Sequence, residues 1–118
     1  MYITNYGPHP PINLPTSELR KVIIKKFGPK TTSFQFQSFC DYNVFHYLKS
    51  KGIGLTVSQN TIYKGGLDKG DCVRIRQIIW DLIIERYLTI GSYDNDSWPY
   101  FTVTERGHIY FDEYNTNS

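Results

Sequence analysis

Cysteine is scarce in this chain, with only Cys40 and Cys72 among 118 residues. Neither belongs to a Cys-x-x-Cys pair and no His stands at ligand spacing from either. The roughly four ligands of a structural zinc site cannot be gathered around them, so no metal is expected. Isolated cysteines of this kind read as buried, reduced thiols, which fits a reducing compartment. A signal peptide is also missing, as is any apolar run long enough to span a membrane. The expectation is a soluble intracellular protein of the cytoplasm, nucleoid or nucleus, with no membrane partner. A phosphate-binding loop would need a Gly-rich turn ending in Gly-Lys-Ser/Thr after a buried strand. Tyr63–Asp71 reads YKGGLDKGD, with Lys and Gly in the wrong order, so nucleotide binding is rejected and no cofactor is expected.

Acidic residues are rare in the first two thirds. Met1–Trp80 holds eleven Lys or Arg and four Asp or Glu, a charge of +7, whereas Asp81–Ser118 holds two and seven, a charge of −5. The formal net charge of +2 conceals this division. A basic region of this sort can face an anion; the plain alternative is two solvated charge runs.

Aromatics, by contrast, are abundant, with ten Tyr and seven Phe. They can build a small core with much burial per residue, or an exposed surplus can stack on bases. The length allows one domain with a single modest core.

Residues 1–15 carry Pro8, Pro10, Pro11 and Pro15 and read as an extended arm, either free or laid across the domain by Tyr2, Tyr6 and Ile12. Thr16 or Ser17 then caps a first helix, SELRKVIIKKFG, stopped by Gly28-Pro29. Its β-branched Val22-Ile23-Ile24 leaves a strand as the alternative. Thr31–Gln37 is a linker or short strand. Ser38 with Asp41 resembles a capping box opening a second helix, which ends at Gly52. Residues 53–69 look irregular, with Thr56-Val57-Ser58 as a possible strand and Gly65-Gly66 as a bend. Asp68 or Asp71 caps a third helix running to about Arg86, with Val73, Ile75, Ile78, Ile79, Leu82 and Ile83 on its apolar face. Tyr87–Ile90 reads as a strand, Gly91–Ser97 as a polar turn and Tyr100–Thr104 as the returning strand. His108–Tyr114 closes the core as a helical turn or strand.

A helix, then ERYLT, a polar turn and FTVTERG resembles winged-helix domains, whose third helix ends in an acidic-Gly-Tyr-Leu turn and whose last strand ends in Leu-Thr-x-x-Gly. Arg86 stands where Gly is usual. The resemblance implies an α+β fold, a winged helix-turn-helix with a three-helix core and a C-terminal β-hairpin wing over residues 16–118. A narrower likeness runs through Phe45–Lys51, Ile62–Gly66 and Arg74–Ile79, and is similar to the C-terminal winged-helix domain of RecQ-type helicases. The four-cysteine zinc module and the helicase motifs of that family are missing.

No enzyme activity is expected. His9, His46 and His108 have no triad or metal signature around them, and Asp94 with Asp96 sits in a turn that offers no pocket to shift a pKa. DNA binding is the expected function, through duplex or junction DNA. In helix-turn-helix docking the start of the recognition helix approaches base edges while nearby cations hold phosphates. Those positions are Lys69, Asp71, Arg74 and Gln77, with Lys64 on the preceding loop and Arg20, Lys21, Lys25 and Lys26 as phosphate contacts from the first helix. The carboxylates of Asp68 and Asp71 count against this reading unless they are occupied with capping amides. Arg can read guanine and Gln adenine; the plain alternative for each is an ordinary exposed charge. The wing carries Asp94, Asn95 and Asp96, which phosphates would repel. In RecQ-like domains the resemblance implies an aromatic wing tip that stacks on the terminal base pair, here Tyr93. The competing and slightly preferred reading of Tyr93 is a turn aromatic folded back onto Trp98 or Pro99. The alternative for the whole chain is a protein-interaction or homodimerisation module that binds no DNA.

Overall fold

The computed structural model describes residues 3–27, 33–54 and 61–117. Its elements are β1 (Ile3–Asn5), α1 (Thr16–Lys25), β2 (Ser33–Gln35), α2 (36–51), β3 (Thr61–Tyr63), α3 (Lys69–Ile84), β4 (Leu88–Ile90), β5 (Tyr100–Val103) and α4 (Glu105–Asn117). The fold is α+β. A three-stranded antiparallel sheet has the order β2-β5-β4, with Phe34 opposite Phe101 and Leu88 opposite Val103. β1 and β3 form a separate parallel pair.

The phenylalanines make the core. Phe27 stacks on Phe39 and Phe111 at centroid distances of 5.2 and 4.8 Å, and Phe34 stacks on Phe101 at 5.5 Å. Around them pack Leu19 and Ile23 of α1, Val44 and Leu48 of α2, and Ile75, Ile78, Ile79 and Leu82 of α3, all essentially inaccessible to water. The tyrosines whose side chains are described stay at the surface or half-buried, since the phenol oxygen favours a wet end. Tyr6, Tyr42 and Tyr93 are exposed outright.

Several boundaries differ from the sequence expectations. The β-branched run of α1 is helical because its Leu19, Val22 and Ile23 bury together, tertiary packing outweighing local preference. Its N-cap is Pro15, with no side-chain cap, rather than Thr16 or Ser17. α2 starts earlier than the supposed Ser38 capping box, at Phe36, where the Gln35 side chain accepts the Ser38 amide at 2.8 Å. Asp41 instead takes the Gln37 carboxamide. The middle of α2, Phe39–Val44, is wound as a π-helix, and Gly52 closes it in the left-handed conformation at φ 67°. The suggested strand at Thr56-Val57-Ser58 and the stop at Gly28-Pro29 lie outside the described residues.

α3 is capped by Asp68, whose carboxylate accepts the amides of Gly70 and Asp71 at 2.9 and 3.3 Å. It ends at Ile84, and Arg86 takes the left-handed conformation at φ 69°. The sequence motif Thr104-Glu105-Arg106-Gly107 does not end a strand. Thr104 opens α4 by accepting the Gly107 amide on its hydroxyl at 2.9 Å, while the same hydroxyl donates to the Arg86 carbonyl at 2.7 Å. Gly107 is needed there because a Cβ would stand 2.0 Å from the Tyr87 carbonyl oxygen. The expected closing turn is therefore a 13-residue helix.

The N-terminal arm is laid across the body. Asn13 donates its amide to the Gly54 carbonyl at 2.7 Å, His9 to Gly66 at 2.8 Å, and Ile12 is buried against the core. Tyr6 stays in water and Tyr2 lies outside the described residues.

Candidate nucleic-acid interface

Two sides of α3 carry charged residues, and they serve different ends. On the side facing the arm, Asp71 is 2% exposed and accepts the Ile12 amide at 2.8 Å. Burial, and to a smaller degree Asp68, raises its pKa, against the opposing pull of the Ile12 hydrogen bond and Arg74. Arg74 donates to the Ile12 carbonyl at 3.3 Å and to the Leu14 carbonyl, and sits 3.5 Å from the Asp71 carboxylate. The guanidinium expected to read guanine is thus held by backbone carbonyls of the arm.

The outer side of α3 presents Lys69, Val73, the adjacent Arg76 and Gln77, Trp80 and Ile84, in steps of three or four along one stripe. Val73, expected on the core face, is 40% exposed, and Trp80 and Ile84 are 38% and 75% exposed. Lys69, Arg76 and Gln77 are exposed, and Arg76 forms no ion pair with any described residue. Lys64 is exposed on the loop before the helix.

The β4–β5 hairpin adjoins this stripe. Trp80 meets Trp98 with ring centroids 5.7 Å apart, and Trp98 also packs on Phe36 and Phe101. The tip is tied by Asn95, whose side-chain oxygen accepts the amide and hydroxyl of Ser97 at 3.1 and 2.7 Å. Its backbone carbonyl takes the Ser92 amide at 2.6 Å. Asp94 and Asp96 are exposed. Tyr93 is fully exposed and does not fold onto Trp98, whose faces are occupied by other rings.

The cations of α1 are not gathered with Lys69. Arg20 bonds Glu85 at 3.0 Å, just past the C-terminal end of α3. Burial is the largest single influence and opposes its charge, but Glu85 and Tyr110 together outweigh it and its pKa is raised. Lys69 begins that 16-residue helix, about 24 Å away along the axis. Lys21 pairs with Glu18 at 3.2 Å, and Lys21 and Lys25 border a recess shared with Tyr47 and Tyr114. Lys26 lies over the Tyr47 ring.

The two thiols, far apart in sequence, lie near one another, and burial pushes both thiol pKa values up. Both are free. Among the described residues no three His, Cys, Asp or Glu side chains come together as a metal site, and no helix is long and apolar enough to cross a membrane.

Sequence reasoning did not single out Arg76. The available signal was its seven-residue spacing from Lys69, which puts both on one helical stripe. Comparison with known protein families, with curated proteins and with solved structures finds no match.

Proposed function

We propose that this chain is a DNA-binding winged-helix domain acting inside the cell, with α3 as its recognition helix. The observation that carries the reading is the order of elements, α1-β2-α2-β3-α3-β4-β5 followed by α4, with the sheet ordered β2-β5-β4. A helix-turn-helix presents the outer face of its last helix to the major groove, and the hairpin that follows lies beside it. Lys69, Arg76 and Gln77 on that face, with Lys64 before it, supply phosphate and base-edge chemistry. Arg76 takes the role first given to Arg74. In the acidic wing, Tyr93 is the group suited to nucleic acid, since stacking on a base needs no charge. This is the role that the RecQ-like resemblance implies.

The test is titration with duplex, forked and single-stranded DNA at low and moderate salt. Binding that weakens steeply with salt supports phosphate contact; no binding to any duplex substrate at low salt overturns the proposal.

One observation favours a second reading. Val73, Trp80 and Ile84 put an apolar component through the outer stripe of α3, as a protein-docking or dimerising helix would. Concentration-dependent self-association that Ile84→Lys abolishes, without duplex binding, would support that reading instead.

A further inference from the structure

Two half-buried tyrosines meet a concentration of lysine. A recess of about 280 Å3 opens between α1, α2 and α4, bordered by Lys21, Val22 and Lys25 of α1, Tyr47 of α2, Ile53 just beyond it, and Tyr114 of α4. Val22, Ile53 and the two rings give it apolar walls. Lys21 and Lys25, one turn apart on α1, give it a cationic side. The ammonium of Lys26 lies 4.8 Å from the centre of the Tyr47 ring and that of Lys51 lies 6.0 Å away. Two ammonium groups thus approach the Tyr47 ring, and two further lysines, Lys21 and Lys25, border the recess beside it. Among the described residues that border the recess the one carboxylate is Glu18, already engaged by Lys21 at 3.2 Å. Lys25 forms no ion pair with any described residue. An anion seated in the recess would meet that ammonium.

We propose that this recess binds one nucleotide unit of a single nucleic-acid strand, its phosphate on Lys21 and Lys25 and its base against Tyr114. Lys26 covers a face of Tyr47, which leaves Tyr114 as the stacking partner. A cationic groove joined to an aromatic platform is how single strands are held without sequence preference. The volume falls just below the roughly 300–1,000 Å3 of small-molecule pockets, which suits one base with its phosphate. The site is unlike a phosphate-binding loop, because side-chain ammonium groups meet the anion. None of its bordering residues belongs to α3 or the wing, so it goes beyond the duplex surface and does not depend on it.

The test is NMR titration of the full chain with an oligothymidine of about six nucleotides, a length within the range of single-strand sites. Parallel arms use thymidine monophosphate and inorganic phosphate. The oligothymidine is expected to shift the amide signals of Lys25, Tyr47, Ile53 and Tyr114. Lys25→Glu and Tyr114→Ala are each expected to weaken its binding by about tenfold. Lys25 is exposed, so Lys25→Glu keeps the fold. Thymidine monophosphate should shift the same signals more weakly, and inorganic phosphate should leave Tyr114 unmoved. Shifts confined to other residues, or wild-type affinity in Lys25→Glu, overturn the proposal. So does inorganic phosphate acting as well as the nucleotide, because the ring would then go unread. Loss of duplex binding with intact oligothymidine binding would remove the α3 reading and leave this one standing.

Discussion

The arm-facing and outer sides of α3 hold the same kinds of residue and use them differently. On the first side, Asp71 and Arg74 form a local pair and satisfy three backbone groups of the arm, at Ile12 and Leu14. On the second, Lys69, Arg76 and Gln77 reach into water. Two arginines only two residues apart are separated by roughly 200° around the helix axis, so one is committed to structure while the other is available to a ligand. A basic residue on a recognition helix is therefore a binding candidate only once its own backbone and carboxylate partners are accounted for.

The comparison breaks most visibly at Asp71. Asp71→Ala leaves the Ile12 amide without its acceptor and Arg74 without its carboxylate, and is expected to cost about 2–4 kcal/mol. Urea denaturation measures this; a loss below about 0.5 kcal/mol, the range of ordinary surface substitutions, would mean the arm contributes little to the fold. Arg74→Glu should likewise destabilise, putting two carboxylates together where an ion pair stood. The double substitution Lys69→Glu with Arg76→Glu should leave the urea midpoint near the wild type and weaken duplex binding by at least about tenfold, through repulsion of phosphates. If Arg74→Glu and the double variant behaved alike in both assays, the two sides would not be distinct.

Smaller effects sharpen the frame around α3. Arg86 pays a steric penalty at φ 69° that glycine escapes, so Arg86→Gly should stabilise by about 1 kcal/mol in thermal or urea unfolding. A destabilisation would mean that the Arg86 side chain contributes more than its backbone conformation costs. His9 tests the arm by pH. Its ring lies 3.9 Å from Phe45, and burial, then Lys49, lowers its pKa while Asp41 opposes them. The native chain therefore binds the proton less readily than the unfolded one. Its contribution is fully present above the ordinary pKa of 6.5 and is lost as pH falls through the lowered value. His9→Leu should flatten the fall in stability below about pH 6.5. An unchanged pH profile would show that His9 does not link protonation to arm docking.

Much of the scaffold was legible because its signals are local. Ile75, Ile78, Ile79 and Leu82 repeat with helical spacing, and Leu88–Ile90 and Tyr100–Val103 flank a polar turn, so α3 and the hairpin could be read directly. Arm docking was not legible in the same way, because Asp71 and Arg74 meet partners about sixty residues away. α4 was obscured by Gly107 and by the β-prone Ile109, Tyr110 and Phe111, although Phe111 is buried by helix packing. The nearness of Cys40 and Cys72 likewise depends on how α2 crosses α3, which neither spacing encodes. At the candidate interface Lys69 and Gln77 were identifiable from position alone. Arg76 required knowing which flank the arm covers, and the exposure of Tyr93 required knowing that Trp98 was already packed.

The central claim is that the outer face of α3, with its wing, binds duplex DNA. Its most direct measurement is fluorescence anisotropy of a labelled duplex with the wild type and with the Lys69→Glu, Arg76→Glu variant. Titrations at about 50 mM and about 200 mM salt cover the range in which phosphate contacts show. The wild type is expected to bind at the lower salt and to lose affinity steeply at the higher, with a shallower slope in the variant. A wild type that fails to bind at the lower salt, or a folded variant that binds as tightly and with the same slope, would contradict the account.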